Sequence, residues 1–478
     1  PGEKGKTVMT KRILPVLLMT ALLIPLSDAA CSPPLTDPQR LKYPSLTFTP
    51  PEPERVELEN GMVLYVLEDR ELPVVNVSAV IGVGSAYDPA GLEGLAEITA
   101  HVMRTGGTRS MAGDEIDDIL EFTAATISLS AGMDAASADL FVLKKDFDRV
   151  FQIFSDILIH PVFDGKKLEL AKNLKIEDLR RVSDVPQRLA FREFRKVIYS
   201  GNPRGRLSTI ESVGRIRKDD LKAFHKQFFF PRNIMMAVAG DVDRNEIIEK
   251  FRRHFAGWQN DGRVQPVPPP GEKASSSIYY LQKEGPQSTV IVGFLAPEKK
   301  SPDSYPFTLL DFIMGGGGFK SRIFREIRSN LGLAYSAGSF YEGREGYGVF
   351  GSYAITKSEA TGTVLSRIRQ ILQDAGRRQV LEDELAWAQN AIVNSFIFSF
   401  SSTDMIATQQ MMIEFHGLPP DYLRTYRNRI EAVNREDVLR VAAQYIRDDR
   451  ATILVVGDEQ KFDRPLSTFG DIHKIDWK

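Results

Sequence analysis

The sequence predicts an α+β protein of two homologous α/β-sandwich domains, each with an antiparallel-rich sheet covered by helices. The first basis is an internal repeat, because a capped helix, a buried strand and a Gly-Asp turn occur twice in the same order, ending at Gly240-Asp241 and Gly457-Asp458. The second is a pattern of strands followed by pairs of helices. The third is the Pro-rich stretch 258–277, which separates two halves of about 200 residues, an ordinary domain size. We therefore expect domains at 55–257 and 278–478, joined by this linker.

The elements of the first half follow from their periodicity and their turn residues. Asn60-Gly61, between β-rich flanks at 56–67, is a hairpin signal. Residues 74–83 (VVNVSAVIGV) predict a strand with one buried face, and the alternation at 127–131 predicts another. Apolar residues at helical spacing predict helices at 91–104, 115–125, 147–159 and 166–182.

Composition excludes several classes of function. The chain has 478 residues, with 61 Lys and Arg against 63 Asp and Glu, so its formal charge is −2. Such a balance gives no general attraction to nucleic acid. The single cysteine, Cys31, excludes an intrachain disulfide and a cysteine-rich zinc site.

The first 31 residues predict a targeting signal rather than part of the fold. We interpret residues 1–8 as preceding the natural start at Met9. From there a basic Lys11-Arg12 pair, an apolar run at 13–26 and several small residues follow the order of a bacterial secretory signal. The apolar run is shorter than the roughly 20 residues that a spanning helix needs. We expect export to the periplasm.

The processing of this signal leaves three alternatives open. Cys31 follows Ala30 and resembles the lipidated cysteine of a bacterial lipoprotein, which would tether the protein to a membrane. Asp28 departs from that pattern, so ordinary cleavage near Ala29 or Ala30 is the second alternative, and an uncleaved anchor is the third. Residues 32–54 are Pro-rich and predict an extended lead-in to the first domain.

A family resemblance rests on GSAYDP at 84–89 followed by GLEGLA at 91–96. These segments resemble the entry to the metal-site helix of the M16 metallopeptidases, which include pitrilysin, insulin-degrading enzyme and the mitochondrial processing peptidase. The resemblance extends from about Arg55 to Glu459 and includes the tandem halves and the Pro-rich linker. It implies two M16-type domains that together form half of a clamshell.

The family's catalytic motif is degenerate in this chain. An H-x-x-E-H helix with a distal carboxylate holds Zn²⁺, and the Glu of the motif takes a proton from zinc-bound water. The matching pentapeptide here is EITAH, in which Glu97 replaces the first His, Ala100 replaces the general base and His101 is retained. The resemblance assigns the third ligand position to Asp178, with Glu177 as its neighbour. We expect no hydrolysis by this chain alone and no bound metal, with a weak site at Glu97, His101 and Asp178 left open.

A second family segment is intact in the C-terminal half. Residues 315–336 (GGGGFKSRIFREIRSNLGLAYS) resemble the segment in which an Arg and a Tyr, seven residues apart, face the substrate chamber. Arg328 and Tyr335 occupy those positions, which implies substrate binding and stabilisation of a developing oxyanion. The alternative is that Arg328 pairs with a helix carboxylate and Tyr335 fills the core. The resemblance also places Ile127 and Leu129 on the edge strand to which an extended substrate adds.

The chain lacks an intact zinc motif in its N-terminal half and retains the Arg/Tyr pair in its C-terminal half. In this combination it resembles the non-catalytic subunit of a heterodimeric bacterial M16 peptidase. This implies a catalytic M16 partner with an intact H-x-x-E-H motif, zinc on that partner and peptides as substrates. The chain is therefore expected to be inactive alone and to take part in peptide hydrolysis only within the heterodimer. The alternative is an exported peptide-binding or scaffold protein of M16 fold without peptidase activity.

Overall fold

The computed structural model describes residues 50–258, 262–272 and 275–476. The predicted signal, Cys31 and residues 32–49 of the predicted lead-in at 32–54 lie outside the described residues. In the described part, no helix has the length and apolar character needed to cross a membrane.

The N-terminal half contains one sheet and its covering helices. Its strands are β1 (Glu54–Glu57), β2 (Val63–Glu68), β3 (Val74–Ile81), β4 (Thr126–Ala131), β5 (Ala136–Leu143) and β6 (Ile234–Gly240). Its helices are α1 (Leu95–Thr105), α2 (Gly113–Thr123), α3 (Phe147–Ile159), α4 (Gly165–Arg181), α5 (Pro186–Ile198), α6 (Ile210–Arg215), α7 (Lys218–Phe228) and α8 (Arg244–Phe255). The predicted hairpin at Asn60-Gly61 joins β1 to β2 in antiparallel register.

The C-terminal half repeats this order. Its strands are β7 (Ser277–Gln282), β8 (Gln287–Ala296), β9 (Ala334–Gly343), β10 (Gly348–Lys357), β11 (Thr452–Gly457) and β12 (Ile472–Lys474). Its helices are α9 (Ser304–Asp311), α10 (Thr361–Ala375), α11 (Glu382–Ser395), α12 (Thr403–Phe415), α13 (Tyr422–Glu431) and α14 (Arg435–Tyr445). Two π-helical segments, Phe312–Gly316 and Phe324–Asn330, lie between α9 and β9.

The two sheets have equivalent topologies, which confirms the predicted fold class. Among the described residues each sheet has six strands, in the orders β1-β2-β6-β3-β5-β4 and β12-β7-β11-β8-β10-β9. Most neighbouring strands are antiparallel, but one equivalent pair in each sheet is parallel: β2–β6 in the first sheet and β7–β11 in the second. The outer strands differ, because β12 runs parallel to β7 while β1 runs antiparallel to β2. The edge strands β4 and β9 are equivalent in the two copies.

One helix from each half packs on the sheet of the other half. Helix α5, from the N-terminal half, packs on β8 and β11, and α12, from the C-terminal half, packs on β2, β3 and β6. Phe194 of α5 and Leu454 of β11 belong to one buried apolar cluster, and Met411 of α12 and Ala237 of β6 belong to another. Both faces of each sheet are therefore covered, and β11 is buried at every position.

The glycine run in the C-terminal half brings a helix against the backbone of an edge strand. Helix α9 continues into the π-helical segment Phe312–Gly316, and a Cβ on Gly315 would lie 2.1 Å from the amide nitrogen of Ser339 in β9. Gly318 then takes a left-handed conformation with φ +69°. Close packing, together with the turn, explains the glycines and positions the segment that carries Arg328.

Candidate functional site

The predicted metal-site residues meet in one groove in the N-terminal half. Glu97, His101 and Asp178 line a groove of about 430 Å³ between α1, α4 and β4. Ala100, at the position of the family's general base, is buried with 1% of its surface exposed. The helix therefore presents a methyl group, which can neither accept nor donate a proton, where the motif requires a carboxylate.

A buried carboxylate sets the start of α1. Asp88 accepts hydrogen bonds from the backbone amides of Gly94 (2.7 Å) and Ala96 (2.8 Å), and Gly94 has φ +105°. These contacts explain why the helix begins at Leu95 and not at the predicted Gly91. Burial raises the pKa of Asp88 to about 7, although the two amide hydrogen bonds and Arg206 favour its ionised form.

Both carboxylates of the groove are paired with cations. The Lys175 ammonium lies 2.5 Å from Glu97 Oε2, and Arg188 donates to both oxygens of Asp178 at 2.6 and 2.8 Å. Lys175 lies on α4 three residues before Asp178, and Arg188 lies in the first turn of α5. Neither cation was predicted from the sequence. The three-residue spacing of Lys175 from Asp178 was an available signal, because it places both residues on the same face of a helix.

His101 is exposed at the rim of the groove. Partial loss of hydration lowers its pKa, Arg104 lowers it further, and Glu97 acts in the opposite direction. In the described part of the chain, no cluster of three or more His, Cys, Asp or Glu side chains is arranged to hold a metal ion. With one imidazole and two carboxylates that already have cationic partners, the residues present do not fit a zinc ion.

The edge strand β4 forms one wall of the groove. Leu129 lines the groove, whereas the Ile127 side chain is buried with 4% exposure. The Ile127 carbonyl accepts a hydrogen bond of 2.8 Å from Arg104 Nε. Addition of a peptide to this edge stays a prediction, and the Ile127 side chain faces the core, away from such a peptide.

Arg328 and Tyr335 lie side by side on the C-terminal half. Arg328 belongs to the π-helical segment Phe324–Asn330, and Tyr335 lies near the start of edge strand β9. The centre of the guanidinium is 5.6 Å from the Tyr335 ring centroid. Tyr335 is 78% exposed, so the alternative in which it fills the core is wrong. None of the described carboxylates forms an ion pair with Arg328, so its charge is not neutralised within the described part of the chain.

Two phenylalanines extend this pair, and sequence analysis missed both. The Arg328 guanidinium also lies 4.8 Å from the Phe324 ring centroid, and Phe319 packs edge-on against Phe324 at 4.8 Å. Arg328 therefore stacks between two aromatic rings, an arrangement that holds a guanidinium without removing its charge. The four-residue spacing from Phe324 to Arg328 on a helix was the available signal.

Two family models match the chain. Residues 64–209 match the model described as insulinase (peptidase family M16), and residues 215–392 match the peptidase M16 inactive domain. Together they cover well over half of the sequence. The chain belongs to peptidase family M16. Both sites described above lie within the matched M16 regions, since Glu97 to Asp178 fall in the first and Arg328 with Tyr335 in the second.

Relatives of this M16 chain carry zinc-protease names. A Bacillus subtilis protein named "Uncharacterized zinc protease YmxG" is 22% identical over 404 residues, covering 84% of this chain and 98% of that protein. A Rickettsia bellii protein named "Uncharacterized zinc protease" is 24% identical over 338 residues, covering 70% of this chain and 81% of that protein. The similarity thus extends over nearly the full length of the Bacillus protein.

Solved structures show that the M16 fold is shared. A peptidase M16 inactive domain from Pseudomonas fluorescens has a TM-score of 0.80 at 22% identity, covering 87% of this chain and 99% of that one. A protease from Helicobacter pylori has a TM-score of 0.78 at 20% identity, covering 86% of this chain and all of that one. The two-sheet architecture is therefore that of known M16 proteins.

Proposed function

We propose that this chain is the non-catalytic, substrate-binding subunit of an exported heterodimeric M16 zinc peptidase. A catalytic M16 partner with an intact H-x-x-E-H motif supplies the zinc, the water and the general base. This chain supplies Arg328 and Tyr335, which bind the peptide and donate hydrogen bonds to the oxyanion that forms at the partner's metal.

The observation that carries this proposal is the contrast between the two sites. Arg328 is exposed and has no ion-pairing carboxylate in the described part of the chain, and it lies beside Tyr335, which is exposed as well. Donors held in this way are suited to a developing negative charge, because they need no rearrangement to meet it. The groove at Glu97, in contrast, has neither a general base nor a free pair of carboxylates. Such a chain depends on another one for hydrolysis.

Export is the second part of the proposal, and the sequence from Met9 to Ala30 supports it. The mature chain then resides in the periplasm, either free or tethered through a lipid on Cys31. Mass spectrometry of the N-terminus of the protein purified from its native host tests both forms. A retained N-terminal signal peptide on a cytoplasmic protein would refute export.

The partnership is tested by purifying the tagged mature chain from its native host under gentle conditions. We expect a second chain in equal amount that carries an intact H-x-x-E-H motif, and peptide hydrolysis that a zinc chelator abolishes. The variants Arg328→Ala and Tyr335→Phe should then each lower kcat of the complex, with the Arg328 change costing about 10²-fold, as for a lost oxyanion donor. Arg325→Ala is the matched control, because Arg325 is exposed on the same π-helical segment. Full activity of the Arg328→Ala complex contradicts the assigned role.

A second candidate function is that of an exported peptide-binding or scaffold protein without peptidase activity. The groove beside edge strand β4 favours it, because β4 has no further strand on its outer side among the described residues, and such an edge next to a partly apolar groove can bind an extended peptide without any chemistry. Absence of a co-purifying H-x-x-E-H chain, together with peptide binding by the isolated protein, would favour this candidate over the first.

A further inference from the structure

The groove in the N-terminal half contains one cation that links two helices. Lys175 extends from α4 to Glu97 on α1, and its Nζ lies 2.5 Å from Glu97 Oε2. The Lys175 side chain is only 17% exposed, whereas that of Glu97 is 53% exposed. Most of the Lys175 side chain is therefore covered by the protein, and its ammonium has the half-exposed Glu97 carboxylate as its ion-pairing partner.

This cation makes the connection between two helices that a metal in the groove would make. A metal held by residues of EITAH and by Asp178 would join α1 to α4, and these two helices pack against each other in the structure. The Glu97–Lys175 pair makes the same connection with one ammonium. A partly buried cation that bridges two helices restricts their separation in the way a coordinated ion does, although with weaker bonds.

The charges of the groove are also balanced without a metal. The carboxylates of Glu97 and Asp178 face the cations of Lys175 and Arg188, so the sum of the four charges is zero. A divalent ion would enter a groove whose carboxylates are already engaged, and it would lie beside a fixed ammonium. Repulsion between like charges is strong where water is partly excluded.

We propose that the Lys175 ammonium replaces the metal ion as the cation joining α1 to α4, and that it excludes a divalent ion from the groove. The groove is then a metal-independent structural link. This inference does not depend on the proposed partner subunit or on the role of Arg328.

The structural half of the proposal is tested by hydrogen exchange on the full mature chain. We expect Lys175→Met and Glu97→Gln each to raise exchange across α1 about threefold, the size of effect expected for a partly exposed ion pair. The double variant should exchange no faster than either single variant. Lys172→Met is the matched control, because Lys172 also lies on α4 with 11% exposure but pairs with Glu169 of its own helix. Additive effects, or the same exchange across α1 in the Lys175 and Lys172 variants, would overturn the link.

Metal exclusion is tested by restoring the motif with Glu97→His and Ala100→Glu. The zinc content of this variant is compared after dialysis with that of the same variant carrying Lys175→Ala, or Lys172→Ala as the control. We expect zinc to be retained only in the chain that lacks Lys175. Equal zinc content with and without Lys175, whether high or low, would overturn exclusion by this side chain.

Discussion

Replacing Phe194 with Ala should destabilise the C-terminal half of the molecule, although Phe194 itself belongs to the N-terminal half of the sequence. Phe194 lies on α5, is 3% exposed and packs on β8 of the C-terminal sheet. The contact is tight, because a Cβ built on Gly293 of β8 would lie 2.2 Å from Phe194 Cζ. The ring also meets Phe340 of β9 edge-on, with the ring centroids 6.3 Å apart.

The expected magnitude follows from this burial. Truncation of a fully buried Phe costs about 3–5 kcal/mol in the free energy of unfolding, through lost burial and the remaining cavity. For a chain of this length that loss corresponds to a fall in Tm of about 3–5 °C, taking ~2.1 cal/mol/K of unfolding entropy per residue. Gly293→Ala approaches the same contact from the other side and should cost about 1–3 kcal/mol by overpacking.

Calorimetry combined with hydrogen exchange measured by mass spectrometry is the appropriate assay. Phe194→Ala should lower Tm and raise exchange in β8 and β11. The control is Phe154→Ala on α3, which removes an equally buried ring from the N-terminal core and should act on that core first. The reasoning would be refuted if Phe194→Ala raised hydrogen exchange only within the N-terminal half. In that case the packing of α5 on the C-terminal sheet would not stabilise that sheet.

Three further predictions concern charged and aromatic groups. Because burial raises the pKa of Asp88 to about 7, the folded chain keeps a proton that the unfolded chain releases above about pH 4. The contribution of Asp88 to the free energy of unfolding is therefore largest at low pH. It is lost as the pH rises to 7, by up to about 1.4 kcal/mol per pH unit. Asp88→Asn should remove this pH dependence from the free energy of unfolding measured with urea. Asp134 accepts a hydrogen bond from Nε of the buried Arg204 at 2.7 Å. Asp134→Ala should lower the free energy of unfolding in urea by about 3 kcal/mol, because it leaves a buried guanidinium without its carboxylate. A change below about 1 kcal/mol would count against this pairing. Phe324→Leu should lower kcat of the complex about two- to fivefold by releasing Arg328, and a kcat equal to that of the unchanged complex would deny Phe324 a positioning role.

Much of the fold could be predicted from local sequence because its signals are local. The helix expected at 147–159 and the strand expected at 74–83 are found as α3 and β3, since each has apolar residues at the spacing of its element. Starts of helices were less predictable. Helix α1 begins four residues later than expected, because Asp88 and the left-handed Gly94 define its first turn.

The candidate sites were predictable only as residue types. Loss of the base at Ala100 and retention of Arg328 with Tyr335 are evident in the sequence once the family motif is aligned with it. Exposure of the Tyr335 ring and the stacking of Arg328 on Phe324 are not, because both depend on the π-helical segment that precedes β9. Helical periodicity cannot reveal a local change in the number of residues per turn.

The sequence by itself determined the duplicated α+β architecture and the loss of the hydrolytic motif, because periodicity, turn residues and ligand identities are properties of short segments. Only the tertiary structure decided which helix covers which sheet and which cation meets Glu97. Lys175 and Glu97 are 78 positions apart, and α5 crosses to a sheet whose strands begin beyond the linker. Such contacts depend on how distant elements pack, and no local pattern in the chain encodes that geometry.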